Sequence, residues 1–348
     1  MNEIWNQYAP SLARAVPAVR RSLSGTVDIH SHMVVAAAAE LVKPHLVKTS
    51  GTADASTVAL GAKQMADRRS RMIDLAQRLP ELDAMGLERQ VIKPSPQQCY
   101  YEVPKDIAVK AARMVNEGMA EFAARAPGRL IPFGTVPMSE PTAAVAELEH
   151  CSRILGFKGV QILTNIAGRE LSDPDFEPFW AKAEALGMLI VIHPAGFTEP
   201  QRLARFYFGN VIGNPLDTTV AIHHLIFDGV LERYPDLRIL AVHGGGYAAA
   251  YSGRMDHAWG ARSDARGTLP KPPTEYLRRM YFDTVVFTPH QLDYLVRVFG
   301  ADHILMGTDY PFDMADYDPV EHVLSGTLDE SSIAAVAGGN ARRLLGLA

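Results

Sequence analysis

Apolar residues along this chain fall into short continuous runs, separated by longer stretches in which they recur every three or four positions. Eight runs read as strands: Thr26–His30, Gln90–Lys93, Leu130–Thr135, Gly159–Leu163, Met188–His193, Leu237–His243, Met280–Thr284 and His303–Gly307. Continuous rather than alternating apolar runs predict strands covered on both faces, as in a parallel sheet flanked by helices. Helical periodicity marks Glu81–Gly86, Lys105–Ala126, Ala143–Gly156, Glu177–Gly187, Thr218–Tyr234 and His290–Phe299, several of them ending in Gly or at a Pro. Eight strands with helices between them predict an α/β fold, a (β/α)8 TIM barrel. A doubly wound open sheet shares the same local pattern.

Two segments fall outside that repeat. Residues 1–25 precede the first strand and read as an N-terminal helical arm. Residues 33–80 form a long insertion after the first strand, on the side where barrel enzymes carry their sites. No internal repeat or low-complexity linker appears, so residues 26–348 read as one domain.

Composition narrows the class. The 348 residues carry a net charge of −5, with 47% hydrophobic and 21% charged residues, which fits a globular chain rather than a disordered one. Mild acidity gives no reason to expect nucleic acid or an anionic membrane as partner. No apolar run approaches the roughly 18 residues a membrane span needs. Glu3, Arg14, Arg20 and Arg21 interrupt the first 26 residues, so no secretory signal core is read there. Two cysteines, Cys99 and Cys151, build no disulfide framework. The expected location is the reducing cytoplasm.

The histidines carry the chemistry. His30 and His32, His193 and His243 end or follow predicted strands one, five and six, and Asp309 follows the eighth. In a barrel these ends share one rim. His30-x-His32 has strand spacing, which puts both imidazoles on one side. Any one of these histidines alone reads best as a satisfied polar residue. Together the five groups predict a divalent metal site with room for a further ligand. His223 and His224 read as helix-face residues, and His45, His150, His257, His290, His303 and His322 as surface or capping groups. Gly244-Gly245-Gly246-Tyr247-Ala248-Ala249 formally fits a dinucleotide fingerprint, but it lies late in the chain and no strand-ending acid follows at the required spacing. Those glycines read better as a tight turn beside a crowded centre.

Val27-Asp28-Ile29-His30-Ser31-His32, Ile192-His193-Pro194, His243-Gly244-Gly245-Gly246 and Gly307-Thr308-Asp309-Tyr310-Pro311-Phe312, in this order, resemble the amidohydrolase superfamily. They are most similar to its branch of aminocarboxymuconate semialdehyde, γ-resorcylate and 5-carboxyvanillate decarboxylases. The resemblance implies His30, His32, His193 and Asp309 as ligands of one divalent ion, zinc first and manganese second. It implies His243 as the acid/base histidine, with Asp309 beside it in the catalytic set. Arg69 aligns with a carboxylate-binding arginine, Arg68 and Arg71 being the alternatives. Arg254 matches an arginine that reaches a neighbouring subunit's site, which implies a homodimer. Tyr100 and Tyr101 are candidates for an aromatic wall, loop packing being the other account, and Tyr100 and Phe312 are candidate substrate contacts. The chain departs from the muconate-type pattern at Ala195-Gly196, where that enzyme has a tryptophan after its His-Pro.

The function expected from this set is metal-dependent, non-oxidative decarboxylation of an aromatic or muconate-type carboxylic acid. A hydrolase or hydratase of a related acid would use the same ligands, and a non-catalytic barrel would have to have lost some of them.

Overall fold

The computed structural model describes residues 21–46 and 53–347. Eight parallel strands carry the fold: β1 (Val27–Met33), β2 (Arg89–Pro94), β3 (Leu130–Pro132, resuming after Phe133 as Gly134–Thr135), β4 (Gly159–Leu163), β5 (Leu189–His193), β6 (Arg238–Ala241), β7 (Tyr281–Asp283) and β8 (Ile304–Leu305). They form an α/β barrel from two ladders. One runs β1-β2-β3, and the other runs from the tail of β3 through β4, β5, β6 and β7 to β8. The ladders meet at Phe133. The seam between β1 and the chain leaving β8 is stitched by Ile29 N to Met306 O at 2.9 Å and His32 N to Tyr310 O at 2.7 Å.

Two apolar layers explain the continuous runs. Val27, Ile29, Val91, Phe133, Leu189, Val191, Leu240, Val242 and Leu305 fill the barrel interior, and Ala341 and Leu345 of the last helix join them. The opposite strand faces, with Ile92, Val160, Ile162, Ile190, Ile192, Ile239 and Phe282, pack on helix residues such as Val115, Met119, Leu148, Trp180 and Leu225. Gly159 makes room for the interior plug: a Cβ there would meet Phe133 at 2.3 Å.

Several boundaries differ from the sequence reading. β6 ends at Ala241, so His243 sits in a turn beyond the strand rather than at its last position. β8 is only Ile304–Leu305, with His303 in the preceding turn. The helix expected over Thr218–Tyr234 is two, Asn214–Phe227 and Val230–Arg233, broken at Gly229 with φ +77°. Glu81–Gly86 is the tail of a longer helix, Leu75–Ala84. The insertion after β1 is itself helical over Ala36–Val42 and Ala55–Ile73. Asp54 caps the second of these by accepting from Thr57 N at 2.9 Å. Most of the expected N-terminal arm lies outside the described residues. Its end is tied down where Arg21 donates to Glu321 at 2.7 Å.

Candidate metal centre

The site begins with a register fault in β1. Asp28 pairs with Gln90 and Ser31 with Ile92, so three steps on β1 oppose two on β2. Such a bulge inserts one residue and re-aims the side chains that follow. Ile29 still faces the barrel interior, while Ser31 turns outward to donate to Val91 O and accept from Arg78. His30 and His32 therefore both face inward. Their ring centroids lie 5.2 Å and 4.8 Å from that of His193.

Each imidazole is oriented by its Nδ1. His30 donates to Asp283 at 2.6 Å, His32 to Pro94 O at 3.1 Å and His193 to Pro194 O at 2.7 Å. An Nδ1 that donates leaves Nε2 as a bare lone pair. The Nε2 atoms of His30 and His32 lie 3.1 Å apart, and each is 3.2 Å from Asp309 Oδ1. His193 Nε2 and Asp309 Oδ1 are buried and take no hydrogen bond. Lone pairs and a carboxylate oxygen crowded this closely repel one another unless a cation lies among them. The donor set of three imidazoles, each held from behind, and one carboxylate fits a divalent ion. One ligand atom each from His30, His193, His243 and Asp309 lies within 4.8 Å of the others.

Protonation follows the same crowding. Burial pushes His32 down to about 3 and holds His193 well below its usual range. For His30, burial and the Lys93 charge also act downward, but Asp309 and Asp283 prevail and its pKa is raised.

His243 stands beside the cluster, with Nε2 3.6 Å from Asp309 Oδ2, and keeps 16% side-chain exposure where His30 and His32 keep none. It is the most exposed of these groups. Its backbone is left-handed at φ +55°, followed by Gly244, Gly245 and Gly246 at +61°, +75° and +62°. A Cβ on these glycines would meet Val286 at 2.4 Å, Phe282 at 2.6 Å and Pro215 O at 2.2 Å. The run is a packing turn that aims His243.

Sequence reasoning missed three groups. Asp283, ending β7, supports His30 and also accepts from Gly244 N at 2.9 Å. Lys93 is fully buried with no partner on Nζ, and burial lowers its ammonium to about 8. It shares the interior face of β2 with Val91, and its ladder neighbour on β1 is His32. Gln161, also buried, donates to Pro94 O at 2.9 Å and leaves Oε1 unpartnered. The signal for all three was polarity at interior positions of otherwise apolar strands.

The three candidate arginines are placed differently. Arg69 points to solvent. Arg68 is buried, pairs with Asp313 at 3.1 Å and lies 4.9 Å from the Phe312 ring centroid; Phe312 in turn lies 4.9 Å from the His32 ring. A helix turns about 100° per residue, so neighbours cannot share its inward face. Arg71, one turn on, is paired with Glu81 at 2.9 Å. Tyr100 is half-buried and its hydroxyl accepts from Gln98, which is tied to Val35. These bonds tie Tyr100 to its own loop and to the start of the insertion. Tyr101 is buried with no partner on its hydroxyl. Arg254 is exposed on helix Ser252–Ala261. His322, expected at the surface, is fully buried against Asp316 at 3.0 Å, because helix Pro319–Leu324 packs inward. Beside His193, no atom stands within 4 Å of where a Gly196 Cβ would be, so that wall is open.

A family model described as amidohydrolase matches residues 27–347. The 2-amino-3-carboxymuconate-6-semialdehyde decarboxylase of Dictyostelium discoideum is 32% identical over 273 residues, covering 78% of this chain and 76% of that protein. The gamma-resorcylate decarboxylase of Rhizobium radiobacter is 28% identical over 296 residues, 80% and 89% of the two chains. Among solved structures, 5-carboxyvanillate decarboxylase from Sphingomonas paucimobilis superposes with a TM-score of 0.82 at 23% identity, covering 93% of this chain and 99% of that one. A dihydroxybenzoic acid decarboxylase from Polaromonas, with bound manganese and the inhibitor 2-nitroresorcinol, gives 0.78 at 23% identity over 93% and 97%.

Proposed function

The chain belongs to the amidohydrolase family, and on that footing we propose that it is a metal-dependent, non-oxidative decarboxylase of an aromatic or muconate-type carboxylic acid. The observation that carries this is the convergence of three rear-anchored imidazoles and the bare Asp309 Oδ1 beside the solvent-facing His243. His30, His32, His193 and Asp309 would hold one divalent ion. Three imidazoles and one carboxylate suit zinc, and the manganese-bearing Polaromonas neighbour supports manganese as the alternative. When bound, the ion supplies Lewis acidity toward the substrate's oxygens.

The protein's own groups do the rest. Loss of CO2 leaves the electron pair of the broken C–C bond on the substrate carbon, which must take up one proton. His243 Nε2 is placed to deliver it, because its ring borders both the cluster and solvent and can be recharged after each turnover. Asp309 Oδ2 lies 3.6 Å from that Nε2. Arg68, its Nε buried and unpartnered, offers a charge-assisted contact to the substrate carboxylate, and Phe312 lies between it and His32 as a flat apolar wall. The exposed Arg254, with Tyr251 beside it at 68% exposure, supports a homodimer in which this helix meets a second subunit.

The deciding experiment pairs metal analysis of the purified protein with CO2 release from a panel of aromatic and muconate-type acids. About one ion per chain with CO2 from any member is expected. Bound metal without CO2 across a broad panel moves the assignment to a hydrolase or hydratase, and a chain that takes up no metal sinks both.

A further inference from the structure

Lys93 is a cation enclosed beside the cluster, and nothing described above uses it. Its side chain is wholly buried, its Nζ has no hydrogen-bond partner, and it faces the barrel interior from the end of β2, opposite His32 in the ladder. Burying an ammionium-type donor with none of its three hydrogens satisfied is costly unless a ligand completes it. The surrounding charges leave it over. Asp283 is committed to His30 and Gly244, and Asp309 to the His30, His32 and His243 cluster. Asp28 accepts from Gln90, which accepts from the buried Arg78, so those two charges offset each other. The two charges of a divalent ion would be matched by Asp283 and Asp309, and the ammonium would stand in excess. The buried amide of Gln161 leaves a second polar atom, Oε1, without a partner, and its Nε2 donates to the carbonyl of Pro94, the residue after Lys93.

We propose that Lys93 is a substrate-binding residue that receives a second ionised oxygen of the substrate, so that the site selects acids carrying two anionic groups over acids carrying one. This rests on the carboxylic-acid reading of the site. It adds the residue that reads the second anionic group. One anionic group lies toward the His/Asp cluster and the other on Lys93.

The test uses the full-length, metal-loaded protein and a matched pair of probes. Phthalate carries two carboxylates, and phthalamate replaces one with a neutral amide of nearly the same shape. Calorimetric titration of the wild type should show phthalate binding at least about tenfold more tightly, the scale of one charge-assisted hydrogen bond. Lys93→Met and Lys93→Gln, checked for metal content and melting temperature, should abolish that preference and leave phthalamate binding within about twofold. A wild type with no preference, or either folded, metal-loaded variant that keeps it, overturns the proposal. If neither variant folds, a crystal structure of the wild-type phthalate complex decides: a carboxylate oxygen on Lys93 Nζ supports it, and both carboxylates bound elsewhere overturn it. Turnover is not read. A Lys93-dependent preference without CO2 from the acid panel would retire the decarboxylase reading alone. CO2 release without the preference would retire this inference alone.

Discussion

Asp283 Oδ2 stands 2.6 Å from His30 Nδ1, with both side chains fully enclosed, and Asp283 Oδ1 accepts from Gly244 N at 2.9 Å. One carboxylate therefore orients a metal ligand and pins the turn that carries His243. Asp283→Asn keeps the shape but removes the charge that makes His30 a stronger donor. Metal affinity should fall by roughly 10- to 100-fold, measured by competition with a chelator of known affinity. An unchanged affinity would mean that the packing around His30 orients it without Asp283.

His243→Ala should retain its metal and lose turnover by on the order of 10²-fold or more. Near-normal turnover would remove His243 from proton delivery. Arg254→Ala should also be impaired. If the site is shared between subunits, mixing the two inactive variants under conditions of subunit exchange should restore part of the activity, because one hybrid site has both groups intact. No recovery in verified hybrids would make each site self-contained.

Arg68→Ala should lower kcat/KM by about 10- to 100-fold, the range expected when one charge-assisted contact to a carboxylate is lost. Arg69→Ala should change it less than about twofold, since that side chain points to solvent. Equal effects from the two would place the carboxylate away from Arg68.

The metal-free protein should lose stability as pH falls below about 6.5, the ordinary histidine value. His32, held at about 3, and His193, also lowered, stay neutral in the fold where the unfolded chain takes up protons. The unfolded state then binds more protons, so acid favours it. His30 is raised and works in the opposite direction, one residue against two. His32→Gln should flatten the slope of denaturation midpoint against pH between 7 and 5. A slope that is flat or reversed in the unaltered protein would contradict the enclosure of these rings.

Much of this was legible in the residues. His30, His193 and Asp309 announce themselves because a strand-ending imidazole or carboxylate has few other uses when several converge on one rim. Asp283 did not, because an aspartate at the end of a short strand reads equally well as the opening of the next turn. Lys93 hid for a related reason: a lysine closing a strand usually reaches solvent, and only the enclosing ring of neighbours shows that this one does not. Choosing Arg68 over Arg69 required the phase of a helix whose sequence, Ala-Ser-Thr-Val-Ala-Leu-Gly-Ala-Lys-Gln-Met-Ala-Asp-Arg-Arg-Ser-Arg-Met-Ile, offers few large apolar positions from which to set it. The bulge in β1 was likewise invisible. Period-2 spacing correctly puts His30 and His32 together, but it cannot tell which face they share, and the extra residue decides that.

The seam between β1 and the end of β8 has a consequence for how the fold is held shut. Backbone bonds, the bridge between Ser31 and Tyr310 and the buried hydrogen bonds from Thr308 to Asp28 cross it. His30 and His32 stand on one bank and Asp309 on the other. An ion bound by all three would work as a latch joining the first strand to the last, so its binding energy would be spent partly on keeping the cylinder closed. Stripping the metal would loosen that line first, and the amides of Ile29 and His32 would report it as faster hydrogen exchange while the β4–β6 ladder stayed protected.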